Sequence, residues 1–116
     1  MQTAFNITNV TFSATFDPEP PENALLVNFQ IFNKGPNHVA GIIVTTNDWV
    51  TSQVAPARFV SFSDGGENWS VSFSGGTPGS TFEFVIFCDD FGGVDFVPRI
   101  WNTNGGSVFQ AVPKNP

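Results

Sequence analysis

Residues 69–74 read "WSVSFS", so that Trp69, Val71 and Phe73 alternate strictly with Ser70, Ser72 and Ser74. A side-chain period of two belongs to a strand with one buried and one wet face, whereas a helix needs apolar residues three and four apart. Three bulky residues on one side and three hydroxyls on the other therefore read as a strand lying on a core, with Trp69 inside. The same period recurs along the whole chain. Val10, Phe12, Ala14 and Phe16 share one face of a strand before the rigid turn "DPEPPEN", and Leu25, Val27, Phe29 and Ile31 share one after it. Beyond the turn "NKGPNH", the segment "VAGIIVTT" is apolar on both phases and is expected to be covered on both faces.

"NDWVTSQVAPARFVSF" reads as a turn, an irregular stretch around Pro56 and a short strand near Phe59. After residues 69–74 and the turn "GGTPGS", Phe82, Phe84, Ile86 and Cys88 are in phase in "TFEFVIFCDD". A loop "DDFGG", a strand from Val94 to Trp101, the turn "NTNGG" and a last strand with Val108, Gln110 and Val112 complete the chain. Roughly seven or eight short strands punctuated by Gly, Pro and Asn predict an all-β, antiparallel, immunoglobulin-like sandwich. The chain has 116 residues, enough for one core, so residues 1–116 are expected to form a single domain.

Composition narrows the chemistry. Fourteen Phe and three Trp among 12% charged residues can fill a core without disulfides or metal. One cysteine and one histidine make neither a disulfide, a zinc cluster nor a Cys-His nucleophile, so no cofactor and no metal is expected. Cys88 reads as a small buried hydrophobe and His38 as a turn residue. The net charge of −6, with Lys34, Arg58, Arg99 and Lys114 scattered, disfavours nucleic acid and anionic membranes as partners.

The N-terminus lacks a basic start and a continuous apolar stretch, so no signal peptide is read there. The expectation is a soluble chain, cytoplasmic or released without a visible leader. Glycan acceptor sequences at Asn6, Asn9 and Asn68 would matter only after secretion.

Carboxylates are the remaining candidates for catalysis. Asp89, Asp90 and Asp95 cluster around one loop and Asp64 with Glu67 flank a turn, but nothing pairs them across a cleft and no His, Cys or Lys supports them. The chain is not expected to be an enzyme. "CDDFGGVD" supplies hard oxygen ligands without the spacing of a calcium loop, and reads as a turn that keeps a sheet edge soluble.

Two tryptophans stand apart from the strand pattern. Trp49 follows "TTND" where an apolar strand ends, and Trp101 precedes Asn102 and Asn104 in "WNTNGG". A flat aromatic among uncharged amides suits a sugar, whose C–H face stacks on the ring while its hydroxyls take neutral donors and acceptors. Either tryptophan could instead plug the end of the sandwich.

At these residues the chain resembles carbohydrate-binding module family 21. "GIIVTTNDWVTSQVAPARFV", "WSVSF", "FEFVIFC" and "RIWNTNGGSVFQ" keep the order and spacing of that family's blocks over about residues 25 to 112. The family comprises starch-binding domains of fungal amylolytic enzymes and glycogen-targeting subunits of protein phosphatase 1. The resemblance implies a sugar-stacking platform at Trp49 and Trp101, and a second site near Asn33 and Phe59. The chain departs from the family in reading Asn102-Thr103-Asn104 for Asp-Asn-Asn and in lacking tyrosine altogether.

The expected function is thus a non-catalytic carbohydrate-binding module or stand-alone lectin for a neutral glycan, of α-glucan type. Asn102 and Asn104, with Asn47 or Asp48, would orient hydroxyls. Such sites are weak singly, so a homo-oligomer would add avidity. The alternative is a protein-interaction or scaffolding sandwich in which "WSVSFS" forms an edge strand that pairs with a partner.

Overall fold

In a computed structural model, described for residues 6–18, 21–32, 38–63, 66–77, 79–90 and 97–114, the alternating segments are strands. They are β1 (Asn6–Pro18), β2 (Pro21–Phe32), β3 (His38–Thr45), β4 (Gln53–Pro56), β5 (Arg58–Ser63), β6 (Gly66–Ser74), β7 (Phe82–Asp90), β8 (Val97–Asn102) and β9 (Phe109–Ala111). Their pairing gives a first sheet in the order β1-β2-β6-β5 and a second in the order β4-β3-β7-β8, with β9 also on β7. All of these pairs are antiparallel. No α-helix occurs among the described residues.

Period two fixes which face is buried. In the first sheet Leu25, Val27 and Phe29 of β2 lie opposite Phe73, Val71 and Trp69 of β6. In the second, Ala40, Ile42 and Val44 of β3 lie opposite Cys88, Ile86 and Phe84 of β7. These two inner faces meet in one core, in which Trp69 and Cys88 are both buried. The C-terminal segment then leaves the second sheet and clips the first. Phe16 N donates to Lys114 O at 2.8 Å, and Lys114 N to Ala14 O at 3.2 Å.

Four details differ from the sequence reading. The "WSVSFS" segment is bonded to β2 along its whole length and to β5 only at Trp69 and Ser70, so its first two residues are central and the β5 ladder stops at Ser70. Beside residues 66–70 the edge position belongs to β5. Around Pro56 the chain forms β4, an edge strand, where a residue without an N–H is tolerated. The outer face of β3 is only partly covered: Gly41 and Thr45 are buried, but Val39 is 46% exposed. Finally, Val108 turns through a positive φ of 55°, so that Phe109 and Ala111, rather than Gln110 and Val112, face the core.

Candidate functional site

The outer face of the second sheet is set by the same register. Gly41 of β3, Phe87 of β7 and Trp101 of β8 form one row across three strands, and Ile43 with Val85 forms the next. Thr45 and Glu83 form a third row, with Gln110 beyond. Paired residues share a face. Trp101 therefore stands outward, 49% exposed. Its ring lies 6.3 Å from that of Phe87, at 58°. Phe87 is only 4% exposed, although it points away from the core. It is covered by Trp101 on one side and reaches across Gly41 on the other, where an added Cβ would sit 3.1 Å from the ring and 2.6 Å from Ala55 O.

Trp49 reaches this same face by a turn built on Thr45. That side chain points outward by parity yet is buried, because the chain curls back over it. Its hydroxyl accepts from Asn47 N at 3.3 Å and Trp49 N at 3.1 Å, and it donates to Thr51 O at 2.6 Å or Asn47 Oδ1 at 2.9 Å. Asn47 braces the turn further, accepting from Thr51 N at 3.0 Å and donating to Thr51 Oγ1 at 2.8 Å. Behind it, Gly76 comes so close to Thr46 that a Cβ would meet it at 2.8 Å, and its φ of +86° is itself a glycine conformation. The neighbouring loop is pinned by buried Asn23, which donates to Thr77 O at 2.6 Å and accepts from Gly79 N at 3.0 Å.

Within this turn Asp48 and Trp49 adopt φ of 62° and 68°. A bulky residue in the left-handed region is strained by on the order of 1–3 kcal/mol, and such strain concentrates at functional sites. Trp49 nevertheless keeps 39% of its surface exposed. From Thr45 to Gly41 is four residues along β3, and from β3 to β8 is two strands, which separates the Thr45 and Trp101 Cα atoms by roughly 16 Å. The turn that carries Trp49 and the strand that carries Trp101 are thus set apart across the rows of Ile43–Val85 and Gly41–Phe87.

The asparagines predicted beside them hold the loops. Asn102 is paired with Ile86 and so turns toward the sandwich edge, where its amide donates to Ile7 O at 2.9 Å and its oxygen accepts from Asn104 N at 3.0 Å. Asn104, at φ 54°, donates to Val108 O at 3.0 Å. Thr103 Oγ1 accepts from Gly106 N at 3.1 Å. Short polar side chains close such turns by bonding nearby backbone. An amide has two donors and two acceptor lone pairs, and these bonds use some of each.

Phe59 lies elsewhere, on β5 of the first sheet, 4.9 Å from the Phe62 ring and 5.9 Å from Trp69. Asn33, Asp64 and Asp95 lie outside the described residues. Among those described, no group of three or more His, Cys, Asp or Glu could hold a metal, and no helix is long and apolar enough to cross a membrane.

Thr45, Gly41 and Phe87 were not singled out in the sequence. Phe87 carried a signal: it is an aromatic out of phase with Phe84, Ile86 and Cys88, so something on the outer face has to cover it.

No protein-family model matches the sequence, and none of the curated proteins does. The structure is similar to the solution structure of the carbohydrate binding module of the muscle glycogen-targeting subunit of protein phosphatase-1. Identity is 21% and the TM-score 0.57, with 80% of this chain and 68% of that one covered. The chain has the two-sheet sandwich fold of that module, as the family resemblance leads one to expect.

Proposed function

We propose that the outer face of the second sheet is a platform for a neutral glycan, and that the chain is a binding module without catalytic activity. Trp49 and Trp101 stack on sugar rings. Asn47, Asp48 and Asn104 orient hydroxyls at the two ends, within the capacity their own loops leave, while Asn102, on the inner side of β8, braces the turn after Trp101. The observation that carries this reading is Trp49, half-exposed and at a strained φ in a turn tied to the outward-pointing Thr45, on the sheet whose outer face displays Trp101. The likeness to a glycogen-targeting module supports an α-glucan as the ligand. The family resemblance implies a second site at Asn33 and Phe59, of which Phe59 lies on β5 of the first sheet.

Open geometry and a few stacking contacts give affinities no better than about micromolar. The test is titration of maltoheptaose into the native chain and Trp101→Ala, followed by calorimetry, with a thermal melt of both. Loss of about 100 Å² of apolar burial costs on the order of 2 kcal/mol, so the variant stays folded with a lower Tm. Its affinity falls at least tenfold. Unchanged affinity in the folded variant rejects the platform.

A protein-interaction reading attaches to β5, whose Phe59 and Phe62 are 44% and 66% exposed at the edge of the first sheet. It predicts a native chain that ignores every glucan and self-associates or captures a partner through that edge.

A further inference from the structure

A hollow of about 380 Å³ opens on the long side of the sandwich, between β1 at the edge of the first sheet and β9, which lies outermost on β7 in the second. By register with Val27 and Leu25 of β2, Phe12 and Ala14 belong to the inner face of β1. Ala14 is buried there, but Phe12 remains 39% exposed, although its ring packs edge-on against the core rings of Phe84 at 5.4 Å and Phe109 at 5.8 Å. Ala14 and Ala111, one from each sheet, are too small to close the gap, so the core reaches the surface at this place. The C-terminal segment borders the hollow. Its backbone is tied to Ala14 and Phe16 through Lys114, which plants the Lys114 side chain at the rim. Among the described residues of the lining, Lys114 is the only ionisable one, in a chain with ten acids and four bases.

We propose that this hollow binds a small apolar monocarboxylate, with its hydrocarbon body against Phe12, Ala14, Ala111 and Val112 and its carboxylate at the Lys114 ammonium. The charge selects the ligand class. An apolar gap alone accepts any hydrocarbon, but a single cation at its rim, beside the Ser13 hydroxyl, favours a molecule with one anionic end. The lysine stem extends the apolar wall while its charged head stays in water. The volume lies at the small end of ligand sites, which suits a body of about eight carbons. An ion pair exposed to solvent adds little, so the affinity is weak, with a Kd of about 0.1 to 1 mM. A neutral glycan has neither the apolar body nor the anion, and the tryptophan platform lies on the outer face of the second sheet. The two sites are therefore independent in chemistry and in place.

The experiment is a ¹⁵N-resolved NMR titration of the native chain with octanoate, 1-octanol and octylamine, in about 150 mM salt so that long-range repulsion by the net charge is screened. The octanoate titration is repeated on Lys114→Gln, Val112→Asp and Trp101→Ala. The expected result is a saturable set of octanoate shifts at the amides of residues 12, 13, 111, 112 and 114, with octanol bound about threefold more weakly and octylamine not at all. Lys114→Gln lowers octanoate to the affinity of octanol. Val112→Asp sets a like charge at an exposed position of the lining and weakens octanoate by about threefold or more, while Trp101→Ala leaves it unchanged. Octanol bound as tightly as octanoate, indifference to Lys114→Gln, or largest shifts at another surface such as Phe59 and Phe62 overturns the proposal. Shifts at the lining residues on dilution without any ligand also overturn it, because a second copy of the chain then fills the hollow.

Discussion

Thr45 shows how much a single hydroxyl organises. It is buried, points away from the core, and holds two amides of the turn that carries Trp49. Valine has nearly the same shape but can neither accept those N–H bonds nor donate to Thr51. Buried donors and acceptors left without partners cost about 1–3 kcal/mol, so Thr45→Val lowers stability by that amount in urea unfolding. The same change frees Trp49 from its strained φ, and the platform becomes disordered at one end. Maltoheptaose affinity therefore drops about tenfold by calorimetry, and Thr45→Ser restores most of it. If Thr45→Val loses stability but keeps full affinity, the turn serves the fold and not the ligand.

Among the elements, β3 and β7 do most to join fold to site, because each has one face in the core and the other under the tryptophans. Gly41 is where the two faces interfere. Adding a methyl there meets the backbone oxygen of Ala55 on β4 and the ring of Phe87 on β7. Overpacking of this kind costs about 1–3 kcal/mol, so Gly41→Ala lowers the Tm by several degrees. It also tilts Phe87 under Trp101, which shows as a changed tryptophan emission even before any sugar is added. The period-two pattern made the buried faces of β2, β3, β6 and β7 legible, since parity depends on sequence alone. Neighbours do not follow from parity, which is why the pairing of β5 along Trp69 and Ser70 was not legible. Pro56 concealed β4, because an edge strand tolerates what a central one does not. For the site, exposed tryptophans beside polar turns were readable. The loop-building bonds of Asn47, Asn102 and Asn104 were not, because a sugar and a backbone ask the same of an amide.

For the molecule as a whole, ten acids and four bases give a net charge of −6, and the proposed glycan platform carries its acids singly, Asp48 in the turn and Glu83 and Asp89 in separate rows. Glu83 beside the platform accepts from Gln110 Nε2 at 3.0 Å. Net charge in such a protein acts on solubility and on long-range encounter, both of which salt screens, while stacking and neutral hydrogen bonds act at contact. Raising salt from about 50 to 500 mM shortens the Debye length severalfold, so it removes most of any charge-driven affinity. A neutral glucan held as proposed keeps its affinity within about twofold over that range, and a sulfated or carboxylated glycan binds less well at low salt because of the acidic surface. Calorimetric titrations of both ligands at the two salt concentrations provide the check. A steep loss of glucan binding with salt means that the contacts are ionic, which leaves no role for a tryptophan stacked on a sugar ring.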